Sequence, residues 1–249
     1  MRAIPQSACS DNENPTNIRG VVYYGTTPGT PTTTGYSYTD SCDDEDVSNL
    51  VPYLSKTVSS DTFDAPEAVT VGKNSNNLFR WYLNSTTMVV DWEDPTLLQV
   101  YENTTSFDTS NAVIQLDEAN VWAYVVITTT FPVPHPIHLH GFDFFVLAQG
   151  TGTYSSSSVT LNLENPPRRD VAMLPANGYL VLAFQTDNPG AWLMHCHIGW
   201  HTSEGFALQF IVRQDEIRDL IDYDTLSNTC STWSSYQSEE SVEQDDSGV

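Results

Sequence analysis

All six histidines of this 249-residue chain fall into two heptapeptides, His135-Pro136-Ile137-His138-Leu139-His140-Gly141 and His195-Cys196-His197-Ile198-Gly199-Trp200-His201. A single histidine on an apolar face is commonly a hydrogen-bonded core residue. That account does not extend to every histidine of a chain confined to two short windows with a cysteine among them, so the windows read as a metal-binding constellation. Strand alternation then sorts the donors, because successive side chains point to opposite faces. His195 and His197 share one face and Cys196 takes the other. His138 and His140 share a face, and His135, three residues earlier, takes the opposite one. The simplest arrangement is two sites back to back. One gathers His135, Cys196 and His201. The other gathers His138, His140, His195 and His197, and the backbone of residues 195–197 joins the two.

The donor set selects the metal. One thiolate with two imidazoles and a weak or absent fourth ligand suits blue copper, whereas zinc favours a full tetrahedral set. The zinc-deaminase signature, a Pro-Cys-x-x-Cys with a catalytic Glu beside a His, is missing. So are a Gly-x-Ser-x-Gly elbow and a phosphate-binding loop.

Around these windows, short runs rich in Val, Ile, Thr and aromatics recur between Pro, Gly, Asn and Asp: Leu78–Leu83, Met88–Trp92, Val121–Thr128, Phe144–Leu147, Val159–Leu163, Tyr179–Phe184 and Phe206–Val212. This spacing predicts an all-β antiparallel sandwich or barrel over residues 67–225. Val21–Tyr24 reads as a further strand inside a segment, residues 1–45, too small to be a domain. The acidic run Asp40–Asp46 leads into an exposed linker over residues 46–66. Asp215–Asp222 reads as a short helix. The acidic tail, residues 226–249, reads as disordered on composition.

Thirty-two Asp and Glu against nine Lys and Arg give a net charge of -23, which excludes nucleic acid and anionic membranes as partners. No apolar run is long enough to span a bilayer, and no signal peptide opens the chain. Four cysteines, Cys9, Cys42, Cys196 and Cys230, invite a disulfide reading, but with Cys196 taken as a ligand one of the other three is left over. Sequons at Asn84 and Asn103 are compatible with secretion.

The two windows closely resemble the third and fourth copper motifs of the multicopper oxidases, fungal laccases in particular. The resemblance continues through Asn165–Asp170 (NPPRRD), Asp187–Trp192 (DNPGAW) and Val90–Trp92 (VDW). Arg2–Cys9 is similar to the end of that family's second domain, and Asp246–Val249 resembles the C-terminal plug of the ascomycete group. The resemblance implies a cupredoxin-like Greek-key domain preceded by the remnant of another cupredoxin domain. It also implies four coppers in the full-length protein. His135, Cys196 and His201 would bind the type 1 copper, His138 the type 2 copper, and His140, His195 and His197 the type 3 pair. The axial offset falls on Phe206, which cannot coordinate; ascomycete members usually carry Leu there, and loss of an axial donor raises the potential. The resemblance further implies a Cys9–Cys42 disulfide and a Cys230 whose partner lies in a missing first domain. Phe142 stands where the family often has His. Arg168 and Arg169 are read as structural partners of carboxylates.

By the same resemblance, phenols or aromatic amines give single electrons to the type 1 copper. Cys196 relays them through His195 and His197, and dioxygen is reduced to water. The oxygen cluster of the family takes eight histidines, four of them from a first domain. The chain supplies the other four, so Met1 is expected to be internal to a longer, secreted protein whose signal peptide lies upstream. Two other readings stand beside this one: a blue-copper electron-transfer module that consumes no oxygen, and an inactive fragment. Ferroxidase or pigment-oxidase activity is a further option within the family.

Overall fold

The computed structural model describes residues 4–16, 18–59 and 67–248. The chain divides into two compact units, Met1–Asp46 and Val47–Val249. In the first, Cys9 and Cys42 form a disulfide. The strand expected at Val21–Tyr24 is absent: this apolar stretch has no ladder partner and its side chains are exposed.

The second unit is the expected two-sheet β-sandwich. Its strands are β1 (Glu67–Lys73), β2 (Phe79–Leu83), β3 (Val113–Leu116), β4 (Trp122–Thr129), β5 (His135–Leu139), β6 (Phe144–Thr151), β7 (Arg168–Arg169), β8 (Val171–Leu174), β9 (Gly178–Gln185), β10 (Gly190–Cys196) and β11 (Ala207–Val212). One sheet runs β2-β1-β4-β9-β6-β7 and the other β3-β11-β10-β5-β8. Between them lies one continuous core. Val125, Phe144, Leu182 and Phe184 from the first sheet meet Ile137, Leu139, Met194, Leu208 and Phe210 from the second. Each such side chain contributes roughly 1.5–3 kcal/mol on leaving water.

The outer faces are covered too, which explains why β4, β6 and β9 read as unbroken apolar runs. Val58, Val126, Phe145, Leu147 and Val181 form a second cluster on the outside of the six-stranded sheet. There the Val58 amide donates to the Leu163 carbonyl (2.9 Å), so part of the stretch expected to be an exposed linker is packed instead. The remainder, residues 60–66, lies outside the described residues. On the other sheet, Ile211 is covered by Val100 of α1 (Thr96–Tyr101) and Ile217 of α3 (Gln214–Ile217); α3 and the turn after it occupy the stretch expected to be helical.

Two expected strands are not strands. Met88–Trp92 and Val159–Leu163 make isolated bonds, such as Val89 N to Ser110 O (3.0 Å) and Asn162 N to Leu147 O on β6 (2.8 Å), rather than a ladder. The tail differs most. Residues expected to be disordered form α4 (Tyr223–Glu240), the longest helix among the described residues. Asp222 caps it by accepting from Thr225 N. Tyr223 stacks on Tyr101 at 4.5 Å, and Trp233 lies 6.1 Å from Trp92. A few aromatic anchors hold a helix whose polar composition carries little periodicity.

Candidate metal centres

The register of β5 against β10 builds both candidate centres. His138 lies directly opposite His195, and Ile137 opposite Cys196. The pleat turns Ile137, Leu139, Met194 and Cys196 into the sandwich, with His135 buried on the same side of β5. His138 and His195 take the other face.

On the core side, α2 (Gly199–Ser203) follows β10 and returns His201 to Cys196. Cys196 Sγ lies 3.6 Å from His201 Nδ1 and 3.9 Å from His135 Nδ1. Cys196 and His135 are both 0% exposed. Bonds of about 2.0 Å to nitrogen and about 2.3 Å to sulfur, opened by about 110–120°, give donor separations of this size, so the three atoms fit one ion. Burial, with His201 nearby, holds His135 down to about 4, and burial also lowers His201. Both are therefore neutral imidazoles at neutral pH, the form that ligates. Burial pushes the Cys196 thiol up to about 11, so an incoming ion must displace its proton.

Two aromatics wall this centre. Phe206 lies 5.2 Å from the His135 ring. Trp81 of β2 stands 4.3 Å from the His201 ring, 5.1 Å from His135 and 5.4 Å from Phe206. Trp81 was legible only as part of a strand; nothing in its local sequence ties it to the histidine windows. Gly205, at φ +101°, makes the turn between α2 and Phe206.

On the opposite side, ligand atoms of His138, His140 and His195 all lie within 4.8 Å of one another. The His138 Nδ1–H donates to the Asp170 carbonyl (2.7 Å) and the His195 Nδ1–H to the Cys196 carbonyl (2.9 Å). A carbonyl only accepts, so the proton sits on Nδ1 in each and Nε2 is left to face the group. His195 Nε2 is 3.0 Å from His140 Nε2. Burial comes first and the neighbouring imidazoles after it in lowering the pKa of His140, and burial leads again for His195. His197 is exposed and stands at the rim, its ring 5.6 Å from His138 and 5.8 Å from His195; it is outside the mutual group of three.

The flanking motifs acquire structural reasons. Asn165–Asp170 delivers the Asp170 carbonyl to His138, and Arg168 pairs with Asp143 (2.7 Å) on the surface. In Asp187–Trp192, Asn188 Nδ2 donates to the Gly141 carbonyl (2.9 Å), and Trp192 packs so closely beneath Gly141 that a Cβ there would meet its ring at 2.5 Å. With φ +74°, Gly141 is a turn only glycine fits. Phe142 fills core space 4.8 Å from Phe184. The end of the chain is docked rather than loose. Buried Arg80 donates to the Asp245 carbonyl (2.6 Å) and pairs with Asp246 (3.4 Å), Trp92 donates to Ser247 O (3.2 Å), and Ser247 N donates to Ser203 O on α2 (3.1 Å). Cys230 is a buried free thiol. Asn84 and Asn103 are exposed.

The profile of the multicopper oxidase family matches residues 83–216. Among curated proteins, the chain is 42% identical over 252 residues to Laccase-2 of Botryotinia fuckeliana, an alignment covering 98% of this chain and 43% of that protein. It is 38% identical over 269 residues to Oxidoreductase OpS5 of Beauveria bassiana, covering 100% of this chain and 44% of that one. Among solved structures, the laccase from Botrytis aclada aligns with a TM-score of 0.78 at 40% identity, covering 98% of this chain and 46% of that chain. The chain thus spans less than half the length of these relatives.

Proposed function

The chain belongs to the multicopper oxidase family, and from that membership we propose that it is the C-terminal copper-binding part of a laccase-type oxidase. The observation that carries this reading is the buried Cys196 thiol with two imidazole nitrogens at 3.6 and 3.9 Å, a group of three donors among the described residues beside the non-coordinating ring of Phe206. Copper, when bound, supplies the redox chemistry: one-electron oxidation of phenols or aromatic amines at one centre and reduction of dioxygen to water at the other. His135, Cys196 and His201 hold the type 1 copper. His138 serves the type 2 copper, and His140, His195 and His197 serve the type 3 pair. His197 stands at the rim of the group, and the remaining four histidines of such a cluster would come from the N-terminal domains of a full-length protein.

The polypeptide contributes three things to this chemistry. Burial keeps the His135 and His201 imidazoles neutral and water away from the thiol. The aromatic walls, Trp81 and Phe206, hold His135 and His201 without offering a further ligand, which allows a copper to change oxidation state with little rearrangement. The covalent path from Cys196 into His195 and His197 connects the centres in a few bonds, and the bond from His195 Nδ1–H to the Cys196 carbonyl shortens it. The disulfide and the exposed sequons at Asn84 and Asn103 support a secreted protein.

One observation favours the electron-transfer module for the isolated chain: its thiolate centre is complete and buried, while its second centre has three grouped donors and an outlying His197. Oxygen uptake by the copper-loaded chain, given a simple phenol, decides between them. Uptake abolished by Cys196→Ser means a working oxygen site. A blue absorbance without uptake means the electron-transfer half alone. A Cys196→Ser variant that stays blue refutes the ligand assignment.

A further inference from the structure

We propose that Thr202 is a positioning residue for His195, locking the ring so that Nε2 is presented to the metal; the metal in question is the copper of the reading above. Thr202 follows His201 on α2. Its hydroxyl donates to the Cys196 carbonyl and lies 3.3 Å from His195 Nδ1. The usual role of a helical threonine is a bond back to the carbonyl four residues earlier. Here that oxygen, on Ile198, is 3.4 Å away, and the Cys196 carbonyl is the closer partner.

Proton counting gives the rest. The hydroxyl has one hydrogen, committed to the Cys196 carbonyl, so its lone pairs face the His195 ring. The His195 Nδ1–H then lies between two acceptors, the Cys196 carbonyl at 2.9 Å and Thr202 Oγ1 at 3.3 Å. The two acceptors are bonded to each other, so the three groups close a small network that fixes both tautomer and ring angle. His195 Nε2 is left pointing at His140 Nε2, 3.0 Å away. His138 reaches the same state through a single carbonyl, that of Asp170. Because Thr202 adjoins His201, one turn of helix supplies a ligand to the thiolate centre and orients a ligand of the other.

The test uses the full chain, free of metal and labelled with ¹⁵N, and the isosteric Thr202→Val beside the conservative Thr202→Ser. The His195 Nδ1–H is expected to exchange with water about tenfold faster in the Val variant, as loss of one hydrogen bond allows, and at the wild-type rate in the Ser variant. Zinc ion, a redox-silent probe followed at the His195 Nε2 resonance, is expected to bind about 10–100-fold more weakly to the Val variant and near normally to the Ser variant. If valine perturbs the backbone amide spectrum, Thr202→Ala gives the same comparison. Wild-type proton exchange and zinc affinity in the variant lacking the hydroxyl would overturn the proposal, as would a Ser variant that behaves like Val. Blue absorbance of the copper-loaded wild type reports separately on Cys196, so its absence would sink the copper reading and leave these two results standing.

Discussion

Gly205 is where the turn after α2 meets the rest of the sandwich, and its replacement by alanine separates two costs that usually arrive together. Its φ of +101° is strained for an L side chain, at about 1–2 kcal/mol. A Cβ there would also stand 1.9 Å from Thr87 Oγ1, 3.0 Å from Thr87 Cβ and 3.1 Å from the Trp81 carbonyl. The threonine hydroxyl can swing aside, losing its long bond to Glu204 O (3.4 Å), but its Cβ and the Trp81 backbone can only give. Overpacking of this kind costs about 1–3 kcal/mol. Gly205→Ala is therefore expected to destabilise the metal-free chain by about 4 kcal/mol, which at about 2 kcal/mol per molar urea lowers the midpoint by about 2 M. Gly152 provides the control, since it has φ +89° with nothing within 4 Å of a Cβ, so Gly152→Ala should cost only the backbone part, about 1–2 kcal/mol. Thr87→Ala combined with Gly205→Ala should recover the hydroxyl clash but neither the backbone strain nor the Trp81 contact. Urea unfolding followed by tryptophan fluorescence measures all four chains. If Gly205→Ala and Gly152→Ala shift the midpoint equally, the turn is not pinned against Thr87 and Trp81, and the account of how His201 and Phe206 are held is wrong.

Phe206→Ala should cost about 3–5 kcal/mol in the same unfolding assay, since it empties a fully buried site. Phe206→Met keeps most of the volume and, on the copper reading, lowers the potential in a redox titration by offering an axial sulfur. The metal-free chain should lose stability on acidification. The folded pKa of His135 is about 4 against an ordinary 6.5, so above 6.5 neither state is protonated, and between 6.5 and 4 the unfolded state takes the proton first. The loss is on the order of 3 kcal/mol from His135, and His140, His195 and His201 push the same way. Urea midpoints at pH 7.5, 5.5 and 4.5 check the slope, and a flat profile refutes it. Arg80→Met should release the docked end of the chain, so that a Glu-specific protease cuts at Glu243 several-fold faster while the sandwich stays folded by circular dichroism.

The sandwich was readable because its strands obey local rules: β2, β4, β6, β9 and β11 each coincide within a few residues with a run of branched and aromatic side chains. Grouping of the histidines was readable for a stronger reason. Alternation is a property of any strand, so Cys196 and His195 had to part company whatever the rest of the fold did. What escaped depends on distant partners. Trp81 touches His201 because the fold sets β2 against the end of α2, with Trp81 N donating to Glu204 O (2.8 Å), a fact of topology rather than of residues 78–83. Helix α4 has no apolar stripe to announce it, and its anchors, Tyr101 and Trp92, lie more than a hundred residues upstream. Met88–Trp92 has strand-like composition, yet its neighbours are loops and the chain end, so it never joins a ladder.

A single register ties these observations together. Pairing His138 with His195 across β5 and β10 puts the buried Cys196 thiol and its two imidazoles on one face and a more open imidazole group on the other. The first face is sealed by the sandwich, so its three donors are set by the same packing that folds the unit. The second is held by the chain only as far as local hydrogen bonds reach, to Asp170 behind His138 and to Cys196 and Thr202 behind His195; His197 is exposed and stands apart at the rim. The two centres should therefore respond differently to the same insult. A core substitution such as Phe206→Ala should degrade metal binding at Cys196 and global stability together. Loss of a hydroxyl at Thr202 should weaken the imidazole group while the unfolding free energy falls by about 1 kcal/mol or less, a shift of about 0.5 M or less in the urea midpoint. Equal effects of both substitutions on both centres would mean that the chain folds them as one site, and the back-to-back arrangement would lose its physical basis.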